Sequence, residues 1–217
     1  MKDRNHIPES SGARTMYLKN LKHMSAFRSS RGQVLVELAI VMPLLILIVL
    51  GVVEMSYLLY DQHVLIRLSR EGSNLISRDV SLGDAGTAMT SMVNPPVDLS
   101  SSNSKMIFTV LTKYSSGANT NYVIVYQRYE IGSLTAASAF TTQGALSSSS
   151  FGSAPDYIAV NPANDTNLRV TNVPSSLTLN QGQFVYVTEI YSRHALITYL
   201  NNFGVSLPST LYSIAYF

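Results

Sequence analysis

The chain contains the segment Arg31-Gly32-Gln33-Val34-Leu35-Val36-Glu37-Leu38-Ala39-Ile40-Val41-Met42-Pro43, and the apolar character that begins there continues through Val53. The 21 residues from Gln33 to Val53 include only two strongly polar side chains, those of Gln33 and Glu37. A helix rises about 1.5 Å per residue, so this run is about 30 Å long, close to the hydrocarbon thickness of a bilayer. We therefore predict a transmembrane helix, assigned to residues 33–55.

Glu37 is an unusual residue for such a helix, because an ionised carboxylate in lipid costs a few kcal/mol even on insertion scales. Cleavage after Gly32 would give Gln33 a free α-amine, four residues before Glu37 and on the same helix face. The amine of one subunit could also pair with Glu37 of a neighbouring subunit and neutralise both charges. The alternative is a single-pass anchor in which Glu37 only extends toward the cytoplasmic boundary.

Two further residues of the helix carry predictions. Glu54 lies 17 residues after Glu37, about 25 Å along the axis, and is expected to mark the outer membrane boundary rather than to serve as a secondary assembly residue. Pro43 lacks an N–H and its ring clashes with the preceding turn, so a kink is expected there.

The charge distribution predicts the topology. Residues 1–32 carry seven basic and two acidic residues, a net charge of +5, and residues 33–217 carry eight basic and eleven acidic residues, a net charge of −3. A basic flank stays in the cytoplasm, which indicates an N-in, C-out protein with Arg28 and Arg31 as topology anchors. The basic residues are scattered and no nucleic-acid-binding motif accompanies them, so no nucleic-acid partner is expected.

Composition argues against an enzyme. The chain has no cysteine, which excludes disulfides and thiol catalysis, and it has four histidines in no metal-binding spacing. His194 has only Glu189 as a nearby acid in sequence, and we interpret it as a surface or partly packed residue. No hydrolase, nucleotide-binding or dinucleotide-binding motif is present. We expect no catalytic residue, cofactor or metal.

The chain divides into a basic leader, the transmembrane helix, its amphipathic continuation and an exported β-rich domain: residues 1–32, 33–55, 56–82 and 83–217. The helix is expected to run to about residue 80, and Met16 and Met24 are alternative starts to Met1. Four β-branched and aromatic runs predict strands: Lys105–Thr112, Tyr122–Glu130, Phe184–Tyr191 and Leu211–Phe217. Two weaker runs suggest short strands at 157–160 and 168–173, and the Ser/Thr-rich residues 133–155 suggest a flexible loop.

An antiparallel sheet of about four strands must bury one face, and the amphipathic part of the helix is the natural cover. The predicted fold class is therefore α+β. A long N-terminal transmembrane helix continues into an amphipathic helix that packs on a small antiparallel sheet, a pilin-like ladle.

The segment Arg31-Gly32-(four residues)-Glu37 before a long apolar run resembles the class III signal of type IV pilins and pseudopilins. The segment 31–45 is most similar to the TadE-like proteins (TadE/TadF/TadG) of tight-adherence, or Flp, pilus systems. The segments Gly51-Val52-Val53-Glu54-Met55 and Arg70-Glu71-Gly72 also resemble this family, as does the strand 185–191 more loosely. The long leader and the Ser-rich insertion depart from the family pattern.

This resemblance implies a pseudopilin that is inserted in the bacterial inner membrane and cut after Gly32 by a prepilin peptidase, with N-methylation of Gln33. Gly32 would serve cleavage and Glu37 assembly. The implied partners are the peptidase, other pilins or pseudopilins, the inner-membrane assembly platform and membrane lipids. The exported domain would be periplasmic, or extracellular after assembly. The alternative function is a signal-anchored membrane protein whose β domain binds a ligand or surface and never polymerises.

Overall fold

The structure is a computed structural model that describes residues 30–198, 204 and 206–217, with the backbone alone for residues 30 and 31. Contacts divide the chain into two compact units, one up to Leu50 and one from Gly51 to Phe217. The predicted leader lies outside the described residues, apart from its last three positions. Arg28 and the alternative starts therefore have no structural description.

Two α-helices form in the described residues. Helix α1 spans Ser30–Ile76 with Pro43 inside it, and helix α2 spans Leu82–Met92. The prediction of one helix to about residue 80 is therefore four residues too long, and α2 was not predicted. Asp79 adopts a positive φ of 62° between the helices, and Ser81 caps α2 by accepting a hydrogen bond from the Asp84 N–H at 3.1 Å.

Four antiparallel strands form one sheet, which confirms the α+β class. The strands are β1 Ser104–Lys113, β2 Val123–Ile131, β3 Phe184–Arg193 and β4 Thr210–Tyr216, in the spatial order β2-β1-β3-β4. The short strands predicted at 157–160 and 168–173 do not form. Those segments make only isolated bridges, among them Ile158 with Gln127 and Arg169 with Ile124.

The second part of α1 covers one face of the sheet. Buried apolar side chains of α1, α2 and the strands share this core: Leu65, Leu68, Ile76, Leu82, Met89, Met106, Phe108 and Ile190. Small residues let α1 approach the strands closely. The Ser69 and Ser213 hydroxyls lie 2.9 Å apart, and a Cβ built on Gly72 would lie 2.8 Å from Thr188 Cγ2 and 3.1 Å from Phe108 Cε1.

The irregular segment between β2 and β3 covers the opposite face. Phe140 and Leu179 from this segment are buried against four strand residues: Leu111, Val125, Val185 and Val187. The Ser/Thr-rich residues 133–155, predicted as a flexible loop, thus supply one core aromatic ring and the buried Leu134. The sheet therefore buries both faces, where the sequence predicted one. The second buried face was not predicted because the apolar residues of this segment are isolated among serines and threonines and show no periodicity.

Candidate processing and assembly site

The predicted processing site lies at the start of α1. Among the described residues Gly32 has open space around it, because a Cβ built there would meet none of their atoms within 4 Å. Gln33 Nε2 donates a hydrogen bond to Glu37 Oε1 at 3.1 Å, and both side chains are exposed. The two residues therefore share one helix face, as their spacing predicts. The neighbouring Arg31 lies in the first turn of the helix.

The side chains that follow are apolar and uncovered. Within the unit up to Leu50, most of the large aliphatic side chains are about half or more exposed, and examples are Leu35 at 66%, Ile40 at 71% and Ile48 at 57%. Helix α1 contains a window of 18 residues with a mean hydropathy of 2.9, none of it buried. This helix is long and apolar enough to cross a membrane. It continues through Pro43, and the kink expected there stays a prediction.

Glu54 has a role that its sequence position did not indicate. Its side chain is fully buried, and its carboxylate accepts three hydrogen bonds from the segment after β3. The donors are Ile197 N–H to Oε1 at 3.1 Å, Thr198 N–H to Oε2 at 2.9 Å and the Thr198 hydroxyl to Oε2 at 2.7 Å. Glu54 therefore ties α1 to residues 197–198 within one unit, whereas the sequence suggested only a marker of the membrane boundary.

His194 lies between two acids of the same helix. Its side chain is buried, with Nδ1 2.7 Å from Asp61 Oδ2 and Nε2 3.4 Å from Glu54 Oε1. This distance between Nδ1 and the Asp61 carboxylate is that of a hydrogen bond. The sequence suggested a surface or partly packed residue with Glu189 as its only nearby acid along the chain, whereas the structure packs His194 against two acids of α1. Glu54 and Asp61 are seven residues apart, two helical turns, and this spacing is the signal that the sequence offered.

Glu189 points to the opposite face of the sheet and anchors the segment after β2. Its buried carboxylate accepts hydrogen bonds from the Ser138 hydroxyl at 2.6 Å, the Ala139 N–H at 2.8 Å and the Tyr191 hydroxyl at 3.0 Å. Burial, and then the negative charge of Glu189, raise the pKa of Tyr191 well above its usual value. Burial and the same carboxylate raise the pKa of Tyr212. Both phenols therefore remain neutral in the folded protein, and the Tyr191 hydroxyl donates to Glu189.

This arrangement predicts a loss of stability in alkali. A raised pKa keeps each folded-state phenol neutral after the unfolded chain has ionised, so its stabilisation is complete below the unfolded value near 10 and is lost as the pH rises toward the folded value. Tyr191→Phe should make the fall in unfolding free energy between pH 10 and 12 shallower by up to about 1.4 kcal/mol per pH unit. Urea unfolding at several pH values measures this slope. Tyr60→Phe, at an exposed tyrosine, should leave it unchanged, and an unaltered slope in the Tyr191 variant would contradict the assignment.

An open cavity of about 1070 Å³ lies beside the edge of β2. Its lining includes Lys105, Arg128, Glu130 and Phe151. The Glu130 carboxylate forms two ion pairs, from Oε2 to Lys105 Nζ at 2.7 Å and from Oε1 to Arg128 Nε at 2.9 Å. Burial acts to raise the pKa of Glu130, but the hydrogen bond from Lys105 and the charge of Arg128 outweigh it and hold that pKa below its usual value. The cavity therefore has two cations and one carboxylate beside an aromatic wall.

Comparison with known proteins bears on the helix alone. Residues 32–74 match a family model described as TadE-like protein. The match includes Gly32, Glu37, Glu54 and Gly72, and it ends two residues before the end of α1. No curated protein and no solved structure matches the chain. The resemblance identified from the sequence is thus confirmed for residues 32–74.

Proposed function

From the TadE-like segment 32–74, we propose that this protein is a minor pilin or pseudopilin of a tight-adherence pilus. The observation that carries the proposal is the start of α1. Gly32 is unobstructed and Gln33 and Glu37 share one face, immediately before an uncovered apolar helix. The protein acts as a structural or assembly component and performs no chemistry of its own.

Each residue of this start has a distinct part in the proposal. A prepilin peptidase cleaves after Gly32, where the absence of a side chain lets the backbone enter the protease. The new α-amine of Gln33 carries a positive charge, and Glu37 of a neighbouring subunit pairs with it in a low-dielectric bundle. The chain is held in the inner membrane, N-in and C-out, before it meets other pilins and the assembly platform. Arg28 and Arg31 fix this orientation.

The test is the intact mass and N-terminal residue of the full chain, extracted from membranes in which the host's own prepilin peptidase is present. We expect an N-terminus at Gln33. Gly32→Val should abolish processing, because a branched side chain then precedes the scissile bond. Gly51→Val is the matched control, since Gly51 also lies in the helix with no atom within 4 Å of a built Cβ, and this variant should be processed. An N-terminus at Met1, Met16 or Met24 in the unaltered protein would contradict the proposal.

Glu37→Gln separates assembly from cleavage. The amide keeps the size of the side chain and its place beside Gln33 but cannot neutralise an α-amine. We expect Gln33 to remain the N-terminal residue, while incorporation into pili falls at least tenfold. Incorporation is measured by immunoblotting sheared pilus fractions against the membrane fraction. Unchanged incorporation would show that Glu37 only extends to the membrane boundary.

A second candidate function is supported by the cavity beside β2. A volume of about 1070 Å³ is at the upper end of pockets that hold small ligands, and the cationic side chains in its wall suit a polar ligand. In this case the protein would be a signal-anchored ligand-binding or adhesive protein. The same mass measurement distinguishes the two functions, because a signal-anchored protein would keep its leader.

A further inference from the structure

Strand β4 is an edge strand with a regular row of free backbone groups. It pairs with β3 through alternate residues, since the Phe217 N–H and C=O bond to Tyr186 and the Ser209 C=O accepts from the His194 N–H. In an antiparallel ladder the residues between these pairs direct their N–H and C=O groups away from the neighbouring strand. Those residues are Thr210, Tyr212, Ile214 and Tyr216.

Almost all of these outward groups lack partners within the described residues. The Tyr212 carbonyl accepts a hydrogen bond from Gln62 Nε2 at 3.1 Å. The outward groups of Thr210, Ile214 and Tyr216 make no hydrogen bond to any described part of the chain. The Thr210 side chain is exposed, that of Tyr216 is 42% exposed, and those of Tyr212 and Ile214 are partly exposed, so no described residue buries the row completely.

The two edges of the sheet differ in their protection. The outer side of β2 is paired, because the Ala159 N–H donates to the Tyr126 carbonyl and the Val170 N–H donates to the Val123 carbonyl. That strand also carries Arg128. Residues 209–217, Ser-Thr-Leu-Tyr-Ser-Ile-Ala-Tyr-Phe, contain no charged side chain, proline or glycine. Natural proteins usually blunt an edge with charges, proline or a bulge, and none of these devices is present in β4.

We propose that β4 binds an extended, uncharged segment of another polypeptide, which adds to the sheet as a fifth strand. The spacing of the outward groups specifies an extended strand, because only that conformation presents complementary N–H and C=O groups at every second residue. A charged side chain on the added strand would meet no opposite charge among the side chains from Ser209 to Phe217, which favours an uncharged segment. The side chains of Tyr212, Ile214 and Tyr216 alternate with the helix-facing residues and supply one apolar face for the added strand.

A second copy of the chain fits this edge poorly. Its β2 edge is already paired, which leaves β4 as its only comparable edge among the described residues. Contacts from Ser69 to Ser213 and from Ser73 to Ala215 show that α1 runs in the same direction as β4. Antiparallel pairing of two β4 strands would therefore orient the two α1 segments in opposite directions. The Gly51 ends of the two copies, each of which continues into its own apolar segment, would then point in opposite directions. Two chains held in one membrane disfavour that arrangement, so we assign the added strand to a different protein.

This inference rests on the proposed function for its setting, since other pilus subunits are the polypeptides that a membrane-anchored pseudopilin meets. The test replaces Tyr216 with the photo-crosslinking residue p-benzoylphenylalanine in the full chain, expressed in its host under conditions of pilus assembly. After irradiation we expect an adduct whose mass is that of the chain plus that of a different protein. The peptide of the partner that is crosslinked should be an uncharged segment. The same crosslinker at exposed Tyr122, beside the paired edge, should give at least tenfold less of this adduct.

Substitutions at Ile214 test the backbone hydrogen bonds. Ile214→Pro removes one outward N–H and no bond to β3, so the adduct should fall at least tenfold, whereas Ile214→Val should leave it within twofold. Thr210→Lys places a charge on the edge at an exposed side chain, and Thr210→Gln is its uncharged control. This pair of variants provides a second test if the proline variant is unstable. We expect the lysine variant to lose the adduct and the glutamine variant to retain it.

Other outcomes would overturn the inference. An adduct of twice the chain mass would assign the edge to a second copy, and an adduct insensitive to both Ile214→Pro and Thr210→Lys would exclude strand addition. Absence of any adduct during assembly would show that no polypeptide binds β4 and would contradict the inference. The N-terminal residue is read in the same samples. A processed N-terminus at Gln33 without an adduct contradicts this inference alone, while an unprocessed chain contradicts the proposed function.

Discussion

Replacing Gly72 with valine is expected to lower the free energy of unfolding of the unit 51–217 by about 3 kcal/mol, the upper end of the usual cost of overpacking a core. A Cβ at this position would lie 2.8 Å from Thr188 Cγ2 and 3.1 Å from Phe108 Cε1, and both neighbours are fully buried. Valine adds two methyl groups beyond that Cβ, so α1 must move away from the sheet. Thermal unfolding in detergent micelles, followed by the near-ultraviolet circular dichroism of the tyrosines, should show a midpoint about 6 to 12 °C lower.

Gly51→Val is the control for the valine side chain itself, because a Cβ at Gly51 meets nothing within 4 Å. This variant should unfold within about 2 °C of the unaltered protein. Thr188→Ser removes the methyl group that lies nearest to the new side chain, so the double variant Gly72→Val, Thr188→Ser should recover part of the loss. Additive effects of the two substitutions would contradict a direct clash.

Glu54→Ala is expected to cost about 3 kcal/mol, because it leaves the Ile197 N–H, the Thr198 N–H and the Thr198 hydroxyl without their acceptor. It also removes the carboxylate that lies 3.4 Å from His194 Nε2. The loss of stability should also be visible locally, in the segment that contains residues 197 and 198. Amide hydrogen exchange at residues 197 and 198, measured by mass spectrometry, should accelerate at least tenfold.

Glu37→Ala is the matched control, since Glu37 is a glutamate of the same helix whose one hydrogen bond, to Gln33, is exposed. Its cost should stay below about 0.5 kcal/mol, with no change in exchange at residues 197 and 198. Glu54→Gln keeps one acceptor oxygen and should fall between the alanine variant and the unaltered protein. If Glu54→Ala is as mild as Glu37→Ala, the buried carboxylate does not hold this segment.

The sequence was most informative where one periodic pattern covers a whole element. The four strands were predicted within about two residues, because β-branched and aromatic runs such as Phe184–Tyr191 have few alternatives. Helix α2 was missed since Leu82–Met92 contains Gly83 and Gly86, which favour a turn when read alone. The packing of α2 against β2 explains why a glycine occurs in this helix. A Cβ on Gly86 would lie 2.6 Å from Ile131 Cδ1, so the glycine lets α2 approach β2.

In the candidate site, too, the sequence predicts contacts between residues close in sequence and misses those between residues far apart. The shared face of Gln33 and Glu37 follows from a separation of four residues, and the sequence predicts it. The contact of Glu54 with Thr198 spans 144 residues, and no local pattern encodes such a distance. His194 could have been placed better from the two acids on one face of α1, because a carboxylate that packs inside a domain requires a hydrogen-bond donor. The chain segment that supplies this donor follows from the tertiary fold alone.

The packing of α1 against the sheet also sets where the chain can be divided. Residues 54–76 of α1 form one wall of the core that contains Met106, Phe108 and Ile190. A fragment that starts at residue 83, where the sequence places the exported domain, would leave these side chains facing water and Ser213 without its partner Ser69. A fragment that starts at residue 51 or just before it keeps the wall, the Glu54 carboxylate and the His194 contacts together. The apolar segment can therefore be removed from the chain only up to Leu50 without opening the interior of the domain that follows.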